Sequence, residues 1–321
     1  MNDASWKTLY PFASHWYTLE AGRMHFLDEG PQAADARDTS PQAADARDTS
    51  PQSASPPRTL LMVHGNPTWS FYWRGLVTAF RDRYRVVVPD HLGSGLSDKP
   101  QDYPYQLQCH VGNLVRLVDA LDLREVTLLG HDWGGAIGLG AAMLRPERFS
   151  RFVMFNTGAF PPPFFPWRIR ACRTPVLGPL AMRGLNLFSR AALRMAVADP
   201  ARLSPQARAG LLAPYDSWAH RVGVWNFVRD IPTSPDQPTW QLLERIEASL
   251  AAASAKPWMF VWGMQDWCFR PECLERFLRH VPSAEVHRLP EAGHWVVEEA
   301  NARIIEWLGA FLERPVAPPT A

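Results

Sequence analysis

The run Leu128-Leu129-Gly130-His131-Asp132-Trp133-Gly134-Gly135-Ala136 decides how the rest of the chain is read. An apolar strand leads into a tight turn flanked by small residues, and a helical pattern follows. Gly130 and Gly134 let the strand and helix backbones approach closely. Between them Asp132 projects from a sharp turn at the head of a helix, so the pattern is small-x-nucleophile-x-small with a carboxylate at its centre. A carboxylate cannot usefully acylate itself as a serine does. It can attack an electrophilic sp3 carbon and form an ester, which water then hydrolyses. The helix N-terminus helps keep it ionised. Read without chemistry, the same run is a strand, a glycine turn and a helix with an N-cap aspartate.

Outward from this run, strands and helices alternate. Before residue 31 a hairpin is predicted from His15–Glu20 and Arg23–Asp28, joined by Ala21-Gly22. Apolar runs follow at Thr59–Val63, Arg85–Val88, Val126–Leu129, Phe152–Phe155, Trp258–Val261 and Glu285–Leu289. Helical patterns at Phe71–Arg81, Leu107–Leu121, Ala136–Leu144, Pro271–His280 and Ala300–Leu312 separate most of them. Short apolar runs alternating with helices predict an α/β fold, a mostly parallel sheet with helices on both faces. The alternation breaks between about Ala159 and Ala255, where helical patterns occur at Ser189–Ala196, Pro205–Leu212, Trp218–Val228 and Trp240–Ala253. A helical cap at 159–255, inserted between core strands, is expected to lie over the carboxyl ends of the strands. The core is then 1–158 and 256–321, and the many Trp of the insertion are expected to be pocket wall and cap core.

The composition excludes several classes. A chain of 321 residues with 46% hydrophobic and 20% charged residues buries a substantial core. A net charge of +1 gives no sign of nucleic acid as a main partner. Cys109, Cys172, Cys268 and Cys273 are too few for a disulfide scaffold and lack zinc-site spacing, so free, mostly buried thiols are expected. No apolar run reaches the length of a membrane span, and the N-terminus lacks the pattern of a secretory signal. A soluble cytoplasmic protein is therefore expected, with its oligomeric state open. PQAADARDTS occurs twice in tandem at 31–50. With the Pro-rich residues that follow, 31–57 reads as a mobile surface loop without packing periodicity.

Three further motifs supply chemistry. In Pro290-Glu291-Ala292-Gly293-His294-Trp295 a turn after the last strand presents His294. In Val261-Trp262-Gly263-Met264-Gln265-Asp266, Asp266 sits just past the preceding strand. Nucleophile, acid and base thus follow the chain order of triads on α/β-hydrolase folds, with Asp266 holding the tautomer of His294. In Val63-His64-Gly65-Asn66-Pro67-Thr68-Trp69 the backbone N–H of Asn66, with that of Trp133, is placed to form an oxyanion hole for the ester's hydrolysis. The Asn66 amide and the Trp133 indole add two uncharged donors suited to a large, weakly hydrated leaving anion. Taken singly, Asn66 also reads as a turn residue, Trp133 as packing, and His294 as one structural histidine among ten.

Together these residues resemble the haloalkane dehalogenase group of α/β-hydrolases, over about Trp6 to Leu312 apart from the repeat segment. The matching motifs are HGNPTW at 64–69, PDHLGSGLSDKP at 89–100, GHDWGG at 130–135, WGMQD at 262–266 and AGHW at 292–295. The resemblance implies Asp132 as nucleophile, His294 as base, Asp266 as acid, and Asn66 with Trp133 as the halide-stabilising pair. It implies no metal or organic cofactor, a small apolar substrate, and halide as a product. One branch of the group carries its acid as a Glu after the preceding core strand, a place held here by Asn156. The chain is therefore similar to the branch that combines Asp–His–Asp with Asn–Trp. That branch also contains β-lactone decarboxylases of olefin biosynthesis, which the stretches 156–161 and 214–219 resemble in particular.

Hydrolytic dehalogenation through an alkyl ester of Asp132 is the first expectation. Decarboxylation of a dialkyl β-lactone to an olefin and CO2 is the alternative. Epoxide hydrolysis fits less well, because the insertion offers only Tyr215 as a phenol donor. Fluoroacetate dehalogenation needs cationic groups that cannot be placed in the pocket. A non-catalytic binding module is expected to show a broken triad. Deletion of residues 31–50 is expected to leave turnover and melting temperature nearly unchanged, measured side by side with the full chain.

Overall fold

The computed structural model describes residues 4–31 and 58–315. The expected loop at 31–57 falls outside them, apart from its first residue. Among the described residues the strands are β1 (His15–Leu19), β2 (Gly22–Glu29), β3 (Thr59–Val63), β4 (Arg85–Pro89), β5 (Val126–Asp132), β6 (Phe149–Thr157), β7 (Trp258–Gly263) and β8 (Glu285–Leu289). They form one sheet in the order β1-β2-β4-β3-β5-β6-β7-β8. β2 runs antiparallel to β1 and β4, and every pair from β4 to β8 is parallel. The helices of the first half are α1 (Arg74–Phe80), α2 (Leu107–Ala120) and α3 (Trp133–Leu144).

Alternation of side chains along the strands feeds two cores. Leu60, Met62, Val86, Val88, Leu129, Val153 and Phe155 enter the cluster on one face, where α1 contributes Leu76 and Phe80. Leu61, Val63, Val87, Leu128, Phe152 and Met154 enter the cluster on the other, with Leu114 and Val118 of α2. Both sides of the central strands are thus covered, which is why they read as unbroken apolar runs. From β3 the chain steps to β4 on one side, then crosses to β5 on the other. The order of strands reverses between β3 and β5, and open α/β sheets bind ligands outside the carboxyl ends of strands at such a point. The motifs carrying Asn66 and Asp132 lie at those two strand ends.

Between β6 and β7 come α4 (Trp167–Cys172), α5 (Leu177–Pro179, continued by a π-helical turn over Leu180–Gly184), α6 (Leu187–Met195), α7 (Pro205–Leu212), α8 (Val222–Asp230) and α9 (Pro238–Ser249). After β7 follow α10 (Pro271–His280), α11 (Val296–Glu299) and α12 (Asn301–Glu313). α9 packs against α2 and α3 and puts Leu242, Leu243 and Ile246 into the core beneath the sheet. The cap limit expected at residue 255 therefore takes in one helix that belongs to the core by packing. The helical turns at 167–184 escaped the sequence reading, because Pro and Gly interrupt their periodicity. Of the insertion's tryptophans, Trp218 is exposed and is neither wall nor core, while Trp167 is exposed on its outer side and also lines a cavity. The four cysteines are free, but only Cys273 is fully buried, and the other three are partly so.

The turn after β5 folds straight into α3, which begins at Trp133 rather than Ala136. Gly134 and Gly135 therefore stand in the helix's first turn, where intrinsic propensity disfavours them. Packing overrides propensity here. A Cβ on Gly134 would lie 2.0 Å from the carbonyl oxygen of Val63 at the end of β3. A Cβ on Gly130 would lie 2.8 Å from the Gly135 Cα. Gly134→Ala must push α3 away from β3, and is expected to lower unfolding free energy by about 1–3 kcal/mol, measured by urea denaturation. An unchanged midpoint would mean that this contact can relax without cost.

Candidate active site

Asp132 is the last residue of β5 and precedes the first residue of α3. Its backbone angles are φ +53° and ψ −128°, a sparsely populated region for a non-glycine residue. The Thr157 hydroxyl at the end of β6 donates to the Asp132 carbonyl and helps hold this turn. The side chain is thereby thrust above the strand ends. Its Oδ1 accepts the Asn66 backbone N–H at 2.7 Å. The Trp133 backbone N–H also donates to the carboxylate. Both N–H groups named from the sequence thus converge on Asp132.

His294 follows β8 and presents Nε2 at 3.6 Å from Asp132 Oδ2. Its Nδ1 lies 2.8 Å from Asp266 Oδ2 and donates to it, which leaves Nε2 as the basic nitrogen facing Asp132. Asp266 is itself held at both oxygens. The Cys268 N–H donates to Oδ1 at 2.6 Å, and the Asn156 amide donates to Oδ2 at 3.0 Å. Asn156 also clasps Gly263 at the end of β7, donating to its carbonyl at 3.0 Å and accepting its N–H at 2.8 Å. By sequence Asn156 stands where another branch keeps its acid, and a lone buried Asn carries no signal for its place as a tie between β6, β7 and Asp266. Asp132, His294, Asp266 and Asn156 are all buried.

Electrostatics follow from this packing. Burial raises the Asp132 carboxyl above the ordinary aspartate value. The nearby His294 and the two N–H groups pull it down without fully cancelling that effect. Burial alone would depress His294, but attraction and hydrogen bonding to Asp266, with attraction to Asp132, raise it above 6.5. Behind the His294 ring, His131 donates from Nε2 to the His294 carbonyl at 2.9 Å. Burial and the neighbouring His294 push His131 well down, so it stays neutral.

The Asn66 amide differs from the sequence expectation. Its Nδ2 donates to the carbonyl of Val224 in α8 at 3.2 Å, leaving one amide hydrogen uncommitted. Its Oδ1 is buried without a partner among the described residues. Trp133 faces the same space beside Asp132. A cavity of about 700 Å³ opens from Asp132, Trp133, Asn66 and His294 between α4, α5 and α6. A smaller cavity of about 100 Å³ leaves the same carboxylate in another direction, between Phe160, Phe164, Leu243 and Phe269. Asp132, Trp133, Ile169, Ile231 and Cys268 border both. Burial keeps the Cys268 thiol neutral, so it adds only wall. Among the described residues no group of three or more His, Cys, Asp or Glu is arranged to hold a metal ion. No helix among them is long and apolar enough to cross a membrane.

Comparison with known proteins fits this geometry. The profile of the alpha/beta hydrolase fold family matches residues 58–301. A cis-3-alkyl-4-alkyloxetan-2-one decarboxylase of Shewanella oneidensis is 37% identical over 95% of this chain and 90% of its own length. The protein of the same name from Xanthomonas campestris is 38% identical over 91% of this chain and 92% of its own. Haloalkane dehalogenase 2 of Mycobacterium tuberculosis is 31% identical over 95% and 96%. The chain belongs to the haloalkane dehalogenase group of α/β-hydrolases. Within that group it falls in the branch that also holds the β-lactone decarboxylases. The crystal structure of the haloalkane dehalogenase DatA from Agrobacterium tumefaciens superposes with a TM-score of 0.78. Identity to it is 22%, with 95% of this chain and 97% of that one covered, which speaks for the fold alone.

In this α/β-hydrolase the neutral imidazole, the form able to act as a base, is lost as pH falls through the raised pKa of His294. Proton NMR is expected to show His294 titrating above 6.5. In Asp266→Asn, where the strongest raising influence is gone and burial remains, it is expected to titrate lower than in the wild type. A wild-type value below 6.5 would contradict the Asp266 pairing.

Proposed function

We propose that this protein decarboxylates cis-3-alkyl-4-alkyloxetan-2-ones to an alkene and CO2, with Asp132 as nucleophile. The observation that carries this reading is the pair of apolar cavities meeting at one carboxylate. A dialkyl β-lactone bears two chains on adjacent ring carbons, and each chain needs its own arm. A simple haloalkane needs one. The names of the relatives at 37% and 38% identity point the same way, against 31% for the dehalogenase. The order expected from the motifs alone is thereby reversed.

The chemistry balances on this chain's own groups. Asp132 attacks the ring carbon that bears the ring oxygen. That C–O bond breaks, an Asp132 alkyl ester forms, and the electron pair passes to the freed carboxylate. The bond from that carboxylate to the neighbouring carbon then breaks. Its pair becomes the C=C bond, the ester electrons return to Asp132, and CO2 departs. No water or proton is consumed. Back-side attack sets the ester opposite the carboxylate, so both alkyl groups stay on one side and the alkene is cis. The uncommitted Asn66 amide hydrogen and the Trp133 indole N–H steady the carboxylate as it forms, in the place a halide would take. His294 has no water to activate in this route and supports Asp132 electrostatically.

The test is gas chromatography after mixing with a synthetic cis-dialkyl β-lactone, in water enriched with heavy oxygen. Expected products are the cis alkene and CO2, with no label entering Asp132 and no alkene from Asp132→Ala. A β-hydroxy acid product, or label in Asp132, would instead mean hydrolysis. Dehalogenation stands second, on the two neutral donors beside Asp132. Halide release from a 1-bromoalkane faster than alkene release from the lactone would move it to first place.

A further inference from the structure

We propose that the face around the mouth of the large cavity docks on an anionic phospholipid surface. Between Gly158 and Ala198 the chain has six Arg and no Asp, Glu or Lys. The whole chain carries only +1, so this positive charge is local. Arg168, Arg170, Arg190 and Arg194 are exposed, and none has a carboxylate partner among the described residues. The same segment exposes large apolar side chains: Trp167 at 73%, Val176 at 69%, Leu177 at 68% and Leu185 at 70%. Leu180 and Leu187 are exposed beside them.

Contiguous exposed apolar surface of this kind marks an interaction site. The mixture of these exposed arginines with Trp and Leu narrows the partner. Interfacial segments put Arg among lipid phosphates while Trp and Leu enter the upper acyl region. Arg168 lies over the rings of Trp167 and Trp267, at 5.6 and 5.4 Å, with its charge beside the apolar groups. Continuity decides for lipid over an acidic protein. Trp167, Leu177 and Leu187 are exposed outside and also line the cavity that ends at Asp132. An alkyl chain can therefore pass from a lipid phase to the carboxylate along apolar wall. This holds whichever reaction Asp132 performs, and its readout is independent of turnover.

The experiment is flotation of the full chain with vesicles of phosphatidylglycerol and phosphatidylcholine, against phosphatidylcholine alone. The protein is expected to float with the anionic vesicles and to be released by salt. Arg190→Glu with Arg194→Glu is expected to weaken partitioning by about tenfold or more. Val176→Ser with Leu185→Ser, which line neither cavity, is expected to weaken it similarly with the circular dichroism spectrum unchanged. No flotation at low salt overturns the proposal, as does equal binding to neutral vesicles or by the charge variants. A wild type that self-associates while these variants are monomeric also overturns it, since the face then joins copies of this chain.

Discussion

Everything at the site depends on how closely the start of α3 approaches the end of β3. Gly134 sits so near the Val63 carbonyl that no side chain fits between them. That contact fixes the height of Asp132 above the sheet. It also fixes the distance to the next turn, so that the Asn66 N–H reaches the carboxylate at 2.7 Å. A wider spacing would leave the same residues in the same order without a shared hydrogen bond. The strained backbone of Asp132 persists because β3, β6 and α3 all constrain it.

Burial then sets the chemistry. A carboxylate removed from water is a stronger nucleophile toward carbon, but it also tends to hold a proton. The two backbone N–H groups and His294 oppose that tendency. His294 is subject to the reverse balance, since burial disfavours its charge and Asp266 restores it. Each charged group is thus kept by a neighbour rather than by solvent, and each is sensitive to removal of that neighbour.

The sheet was legible because its central strands are covered on both faces and read as apolar runs ended by turns. That Asp132, Asp266 and His294 converge was legible because each follows a strand within a motif. Less was legible in the insertion. Its turns at 167–184 are short and broken by Pro and Gly, so no period develops, and α9 reads like its neighbours although it packs elsewhere. Cavity shape was not legible at all. Whether one arm or two leave Asp132 depends on how Phe160, Ile169, Ile231 and Leu243 meet from distant parts of the chain. That is why motifs shared by two activities could not order them.

Asn156 has a consequence for how such sites change over time. Its neutral amide steadies Asp266, so Asp266 and the residue at 156 form one unit with room for a single negative charge. Replacing the amide by a carboxylate while Asp266 remains would set two like charges within hydrogen-bond distance, and one would have to bind a proton. Losing Asp266 first would leave His294 unsupported. A carboxyl at 156 would therefore have to share one proton with Asp266, and the two positions are expected to change together rather than singly.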